Sequence, residues 1–97
     1  VPATLTPPVP DWPEDLPQVL YIDHFGNAIT GLRADRLGRD VRLRIGGTGL
    51  AYARTYSEVR AGQGFWYENA NGLVEIAANQ ARASDQYGIA VGDSVGV

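Results

Sequence analysis

The chain has 97 residues, a formal net charge of −3 and no cysteine. The absence of cysteine excludes a disulfide framework and a thiolate metal site within this sequence. All eight basic residues are arginines and the eleven acidic residues outnumber them, so the basic surface that nucleic-acid binding needs is not indicated. An apolar content of 44% predicts one folded domain with a modest core.

Membrane and metal partners are not expected either. No apolar run approaches the roughly 20 residues that span a bilayer. The start at Val1 is proline-rich and uncharged, unlike a signal peptide, so we expect a cytoplasmic protein. The single histidine, His24, has no carboxylates at ligand spacing around it, which argues against a metal site.

The first 18 residues contain all six prolines of the chain. Because proline fixes φ and removes a backbone donor, residues 1–18 are expected to form an extended arm or an interdomain linker. Both a terminal tail and a connector fit this composition, and Trp12 slightly favours a connector that packs on something. Residues 19–97 are expected to form one domain.

From Gln18 onward the sequence is typical of short β-strands. QVLYID and NAITGL predict two strands bent apart at Phe25 and Gly26, and VRLRIGG alternates apolar and arginine residues as a half-buried strand does. ADRLGRD predicts a helical turn closed by Gly38, and LAYARTYSEV alternates more loosely. GFWYENANGLVEIA predicts a hairpin with an Asn-Ala-Asn-Gly turn.

The end of the chain predicts a short helix and a last strand. Asn79 is expected to cap the helix, Gly88 to end it in the left-handed conformation, and DSVGV to be the final strand. The predicted fold class is therefore mostly β: a compact antiparallel barrel or sandwich-like domain with one short helix near the C-terminus.

Well-known catalytic motifs are missing from the sequence. There is no Gly-x-Ser-x-Gly elbow, phosphate loop or Gly-x-Gly-x-x-Gly fingerprint. His24 could act as a general base, but a surface residue on the outward side of its strand is the favoured interpretation. Asp23, Glu68 and Glu75 have no spacing diagnostic of paired-carboxylate chemistry.

One cluster, DHFGN, has the composition of a recognition site. Asp23, Phe25 and Asn27 share one face of a regular strand, so an acid, a ring and an amide would lie together. A carboxylate accepts from an ammonium, an amide matches a heterocycle edge and a ring offers a stacking surface. The alternative is a core Phe25, with Asp23 and Asn27 bonding the backbone around a bend at Gly26. Spacing alone favours this alternative.

Two further clusters have the same ambiguity. ENANGLVEIAANQ joins an asparagine-rich turn to a buried strand and a helix start, whose free N–H groups suit an anion or a heterocycle acceptor. An ordinary hairpin turn followed by a helix cap explains it equally well. RTYSEV adds Tyr56, for which a core or rim position is the alternative to a ligand contact.

These three clusters, in this order, resemble the C-terminal domain of the S-adenosyl-L-methionine (SAM) hydroxide adenosyltransferases, a family that includes the fluorinase and chlorinase enzymes. The similar stretches are IDHFGNAITGL, RTYSEV, NANGLVEIAANQARA and VGDSV, which run from about Val19 to the end. The resemblance implies a two-domain enzyme that assembles as a homotrimer. SAM would lie between the N-terminal domain of one subunit and the C-terminal domain of its neighbour.

The resemblance also implies a reaction. Hydroxide or halide would attack C5′ of SAM as substrate, and in the hydrolase branch the products would be adenosine and L-methionine. No cofactor is implied. The catalytic groups are expected in an N-terminal domain outside this sequence, so the isolated chain is expected to be inactive. Ten substrate-binding residues follow from the matching motifs: Asp23, Phe25, Asn27, Tyr56, Asn69, Ala70, Asn71, Ala78, Asn79 and Gln80.

The resemblance gives these residues roles at two ends of the ligand. Asp23 would accept a hydrogen bond from the methionine ammonium, and Phe25 and Tyr56 would pack on the adenine. Asn27 would bond the adenine edge through its amide. Residues 69–71 would hold the amino-acid end of methionine, and residues 78–80 would line the adenine, largely through backbone groups at the helix start.

Two positions in the turn depart from the family pattern. Ala70 stands where the family commonly has serine, which weakens a contact from this side chain to the methionine carboxylate. Asn71 stands where halogenating members place arginine, which favours the hydroxide-using branch. Two other functions remain open: a stand-alone, non-catalytic nucleoside-binding module, or a structural or oligomerising β-barrel.

Overall fold

A computed structural model of the chain describes residues 16–96. The prediction of a proline-rich arm falls mainly on residues 1–15, which lie outside the described residues, as does Val97. Within the described range the regular elements are β1 Leu16–Ile22, β2 Ala28–Arg33, β3 Leu43–Ile45, β4 Thr48–Leu50, β5 Gly64–Glu68, β6 Leu73–Ala78 and α1 Ala83–Tyr87. The prediction of a mostly β fold with one short helix near the C-terminus is confirmed.

Four of the strands form one antiparallel sheet in the order β1-β2-β6-β5. The short strands β3 and β4 pair with each other in a separate hairpin. Because β1 and β5 are both edge strands, the sheet is open and does not close into a barrel. The sandwich-like form of the prediction is compatible with this arrangement.

The alternation of side chains along β5 and β6 separates the core from a second, partly open face. Trp66 pairs with Ile76 on the core face, where Trp66 is fully buried and its indole N–H donates to the carbonyl of Val41 over 2.9 Å. Phe65 and Ala77 pair one residue away, so they point to the opposite face. The core face is covered by the β3–β4 hairpin, α1 and the last residues of the described chain.

The predicted helix boundaries are half right. Gly88 ends α1 in the left-handed conformation, with φ 64° and ψ 37°, as expected. The predicted cap is wrong: α1 begins at Ala83, and the side-chain amide of Asn79 donates instead to the carbonyl of Val59. The reason is that β6 continues to Ala78 and is followed by a tight turn, which delays the helix.

Three smaller predictions differ from the structure in detail. The turn in ADRLGRD is one 3₁₀ turn, Ala34–Arg36, that ends before Gly38. The loosely alternating LAYARTYSEV is a strand only as far as Leu50 and contains a second 3₁₀ turn, Tyr56–Glu58. DSVGV forms isolated bridges through Ser94 and Gly96 rather than a continuous strand. The reason is that this short segment forms backbone hydrogen bonds only where another strand lies next to it.

Candidate functional site

The DHFGN cluster is a tight turn between β1 and β2, not part of a strand. One carboxylate oxygen of Asp23 accepts the backbone N–H groups of Phe25 and Asn27, each over 2.9 Å. Gly26 supplies the positive φ of 80° that the turn requires. The prediction that three side chains share one strand face is therefore wrong, because this segment is a turn and not a strand. Asp23 bonds the backbone around the bend, as the alternative interpretation expected. Phe25 is 71% exposed, so the core position in that alternative is also wrong.

A buried carboxylate lies at the centre of the open sheet face. Glu75 is only 7% exposed and accepts hydrogen bonds from three side chains. The Asn27 amide nitrogen and the Tyr67 hydroxyl donate to Oε2 over 3.0 and 2.6 Å, and the Asn69 amide nitrogen donates to Oε1 over 3.2 Å. Burying a charge is costly unless it is well hydrogen-bonded, and these three donors meet that requirement.

The environment of Tyr67 keeps its hydroxyl protonated. Burial raises the pKa of Tyr67 well above its usual range, and the hydrogen bond to Glu75 and the negative charges of Glu75 and Asp23 raise it further. The phenol is therefore a hydrogen-bond donor to Glu75 over the whole physiological pH range. It ties β5 to β6 at the point where Tyr67 and Glu75 are directly paired.

The asparagine-rich hairpin turn is held by its own first residue. The side-chain oxygen of Asn69 accepts the backbone N–H groups of Asn71 and Leu73 over 2.9 and 3.0 Å, while its nitrogen donates to Glu75. The Asn69 side chain thus links the turn to the buried carboxylate. Ala70 lies exposed at the tip of the turn.

The RTYSEV segment forms a braced loop beside the same face. The carboxylate of Glu58 accepts the backbone N–H of Arg54 over 2.8 Å and also pairs with the Arg54 guanidinium over 2.9 Å. The backbone N–H and the guanidinium together lower the pKa of Glu58. The ring of Tyr56 follows directly in the 3₁₀ turn and is 63% exposed.

The turn after β6 has an unusual backbone. Gln80 is the one non-glycine residue in the described chain with a positive φ, 58°. The preceding Asn79 is 8% exposed; its nitrogen donates to Val59, and its side-chain oxygen has no hydrogen-bond partner among the described residues. Such backbone conformations persist only where the surrounding structure fixes them, and they cluster at ligand sites.

These segments surround an open cleft of about 400 Å³, which we call the first cleft. Its lining residues are Asn27, Arg54, Thr55, Tyr56, Phe65, Tyr67, Ala77, Ala78, Asn79 and Gln80. Five of the ten predicted site residues are therefore brought together, although they come from three separate motifs. The second cleft, of about 440 Å³, shares Asn27, Ala78 and Gln80 with the first and adds His24, Phe25, Ala81 and Arg82.

Four of the predicted site residues are not among the lining residues of either cleft. These are Asp23 and residues 69–71, which lie in the two turns at either end of the Glu75 network. Conversely, no sequence motif predicted Phe65, Tyr67 or Glu75 as a residue of the site. An available signal for Glu75 was its place in LVEIAA, where an acid interrupts an apolar strand.

Two other kinds of site are not found in residues 16–96. No group of three or more histidine, aspartate or glutamate side chains in this range is arranged to hold a metal ion. None of the helices formed by these residues has the length and apolar character to cross a bilayer.

The chain matches a known protein family. The family described as SAM hydroxide adenosyltransferase C-terminal domain matches residues 17–96. The (R)-S-adenosyl-L-methionine hydrolase of Thermus thermophilus is 37% identical over 75 residues, which make up 77% of this chain and 29% of that protein. This chain thus spans less than a third of the length of the hydrolase.

Two solved structures have a similar fold. A conserved hypothetical protein from Thermus thermophilus superimposes with a TM-score of 0.74 and 35% identity, over 98% of this chain and 44% of that one. An uncharacterised conserved protein from Thermotoga maritima superimposes with a TM-score of 0.70 and 28% identity, over 80% of this chain and 34% of that one.

Proposed function

The chain belongs to the family of SAM hydroxide adenosyltransferase C-terminal domains, and from this premise we propose that it supplies the nucleoside-binding part of a SAM hydrolase. The full enzyme would attack C5′ of SAM with water or hydroxide and release adenosine and L-methionine. The observation that carries the proposal is the convergence of Asn27, Tyr56 and residues 78–80 on the first cleft.

The first cleft has suitable size and chemistry for a nucleoside. Its volume of about 400 Å³ lies in the range of small-ligand sites. The rings of Tyr56, Phe65 and Tyr67 offer surfaces on which a purine can stack. The amide of Asn27 and the backbone of residues 78–80 supply hydrogen-bonding groups for the purine edge. In this proposal, Phe25 covers the adenine from the adjoining second cleft.

The methionine end of the substrate is assigned to the two turns flanking Glu75. Asp23 uses one carboxylate oxygen for the backbone of its own turn. A carboxylate has about four lone-pair positions, so Asp23 can also accept a hydrogen bond from the methionine ammonium. Asn69, Ala70 and Asn71 would contact the amino-acid end from the other turn. Because Ala70 has no hydroxyl, backbone groups there would have to hold the methionine carboxylate.

The groups that direct the nucleophile are assigned to another domain. Phe25 and Tyr56 are 71% and 63% exposed, which leaves two aromatic rings for a partner to cover. We propose that an N-terminal domain of a neighbouring subunit in a homotrimer covers them and completes the site. Asn71, in place of the arginine of halogenating members, favours hydroxide as nucleophile. SAM is then the substrate, and the reaction uses no cofactor.

An activity assay tests both parts of this proposal. SAM is incubated with the full-length protein that carries this chain, and separately with the 97-residue chain, and adenosine and methionine are separated by chromatography. Equimolar products are expected from the full-length protein and none from the chain alone. Absence of turnover in the full-length protein would refute the hydrolase assignment, and turnover by the chain alone would refute the location of the catalytic groups.

A matched pair of variants connects the activity to the first cleft. Asn27→Ala removes an amide that lines the cleft and is expected to raise KM for SAM more than it lowers kcat, since it contributes to binding rather than to proton transfer. Glu68→Gln is the control, because Glu68 is exposed and pairs with Arg39. Equal effects of the two substitutions would contradict a role for Asn27 in substrate binding.

A second function is compatible with the composition of the first cleft, in which three aromatic rings and the Asn27 amide lie together. A stand-alone nucleoside-binding module would bind adenosine without turnover. Calorimetry with the 97-residue chain distinguishes the two functions when combined with the assay above. Micromolar adenosine binding, together with an inactive full-length protein, would favour the module over the hydrolase.

A further inference from the structure

The geometry points to Glu75 as a positioning residue that fixes the orientation of the Asn27 amide and thereby makes the first cleft select a 6-amino purine over a 6-oxo purine. Glu75 itself is buried beneath the cleft and is not one of its lining residues. The inference rests on the proposed function, because it takes the ligand to be a purine nucleoside.

Glu75 requires hydrogen-bond donors from the side chains around it. An ionised carboxylate accepts hydrogen bonds and cannot donate them. The three side chains that converge on Glu75, from Asn27, Tyr67 and Asn69, all present donor groups. Tyr67 stays protonated, so its hydroxyl fills one position on Oε2. The remaining position on Oε2 is left for the Asn27 nitrogen.

The Asn27 amide is held in one orientation. Its nitrogen donates to Glu75 over 3.0 Å, and the amide also interacts with the Tyr67 hydroxyl. If the amide turned over, its oxygen would lie beside a carboxylate oxygen, and two acceptors would face each other at hydrogen-bonding distance. The backbone of Asn27 cannot move away to remove this repulsion, because its N–H is held by Asp23. The amide oxygen is therefore the group presented to a ligand.

The ligand group that fits this orientation is a hydrogen-bond donor. An acceptor at the cleft wall matches the exocyclic amino group of adenine, which donates. The 6-oxo group of hypoxanthine is itself an acceptor and leaves both oxygens unpaired. Sites that satisfy a ligand's donor discriminate strongly against analogues that lack it, because a polar group of the protein is then left unpaired. The buried acid therefore acts on purine selectivity through Asn27.

The test compares adenosine and inosine binding to the full-length protein by calorimetry. The wild-type protein is expected to bind adenosine at least about tenfold more tightly, the factor that one hydrogen bond supplies. In Glu75→Gln the new side chain offers a donor and an acceptor, so either Asn27 orientation is satisfied. The preference is then expected to fall to about threefold or less. Glu68→Gln, on the same hairpin, is expected to keep the wild-type preference.

The outcomes separate this inference from the proposed function. No adenosine binding by the wild-type protein would overturn both. Adenosine binding without preference over inosine, or a Glu75→Gln protein that keeps the full preference, would overturn the inference alone. A Glu75→Gln protein that loses affinity for both nucleosides equally would show a merely structural role for Glu75 and would also overturn it.

If Glu75→Gln does not fold, a measurement on the wild-type protein tests whether the Asn27 amide is held in one orientation. Hydrogen exchange of side-chain amides is followed by NMR in the absence of ligand. The Asn27 side-chain proton that is donated to Glu75 is expected to exchange at least about tenfold more slowly than the side-chain protons of the exposed Gln80, because it is held in a hydrogen bond. Equal exchange rates would show that the amide is not held in one orientation and would overturn the inference.

Discussion

The turn that carries Asn27 depends on a glycine in two separable ways, and the substitution Gly26→Ala tests both. Gly26 has φ +80°, a conformation that disfavours any residue with a Cβ atom. In addition, a Cβ at this position would lie 2.6 Å from Cβ and 3.0 Å from Cα of Arg82. The second contact involves backbone, so a side-chain rotation cannot remove it.

The magnitude follows from these two contributions. The left-handed backbone costs about 1–2 kcal/mol with alanine, and overpacking against Arg82 adds about 1–3 kcal/mol. Movement of the turn is restrained, because the carbonyl of Gly26 accepts the N–H of Ser84 over 2.9 Å and the carbonyl of His24 accepts the Arg82 guanidinium over 2.7 Å. We therefore expect Gly26→Ala to lower the free energy of unfolding by about 2–5 kcal/mol.

Gly62→Ala is the matched control. Gly62 has nearly the same φ, +81°, but nothing lies within 4 Å of its hypothetical Cβ. Only the backbone cost of about 1–2 kcal/mol applies there. Urea and thermal unfolding of both variants isolate the steric contribution, and a difference of about 2 kcal/mol corresponds to roughly 8–16 °C in Tm. If Gly26→Ala is no more destabilising than Gly62→Ala, the close packing against Arg82 does not constrain this turn.

Three further predictions concern single side chains. Thr30 is fully buried, and its hydroxyl donates to the carbonyl of Val74 and accepts the N–H of Leu32. Thr30→Val should therefore lower the free energy of unfolding in urea by about 1–3 kcal/mol. An unchanged urea midpoint would contradict this. Because the pKa of Tyr67 is raised on folding, the protonated Tyr67 hydroxyl stabilises the fold fully below about pH 10, and this stabilisation is lost as the pH rises further. Tyr67→Phe should therefore weaken the loss of stability at alkaline pH. Because the pKa of Glu58 is lowered on folding, its carboxyl carbon should titrate in NMR below the usual pKa of about 4.3. The stabilisation that the Glu58 carboxylate provides should be lost as the pH falls. A normal titration would contradict the pairing of Glu58 with Arg54.

Local patterns were sufficient for much of the fold. In GFWYENANGLVEIA, the alternation of apolar residues and the Asn-Ala-Asn-Gly turn predicted the hairpin that the structure contains as β5 and β6. Gly88 predicted the helix end, because a left-handed residue after a helix is a property of the backbone itself. The helix start could not be predicted in the same way. Asn79 has the sequence features of a cap, but the extension of β6 places it in a turn where Val59 binds its amide.

The sequence by itself determined the strand-rich character of this protein, the hairpin and the motifs that identify its family. Each of these depends on neighbouring residues along the chain or on their order. Only the tertiary structure decided that Asp23 braces a turn, that Asn27, Tyr56 and residues 78–80 share a cleft, and that Glu75 is buried among three donors. The bond between Asn27 and Glu75 joins residues 48 positions apart. Which polar groups meet in a buried site depends on how distant strands pair, and a local pattern contains no information on that pairing.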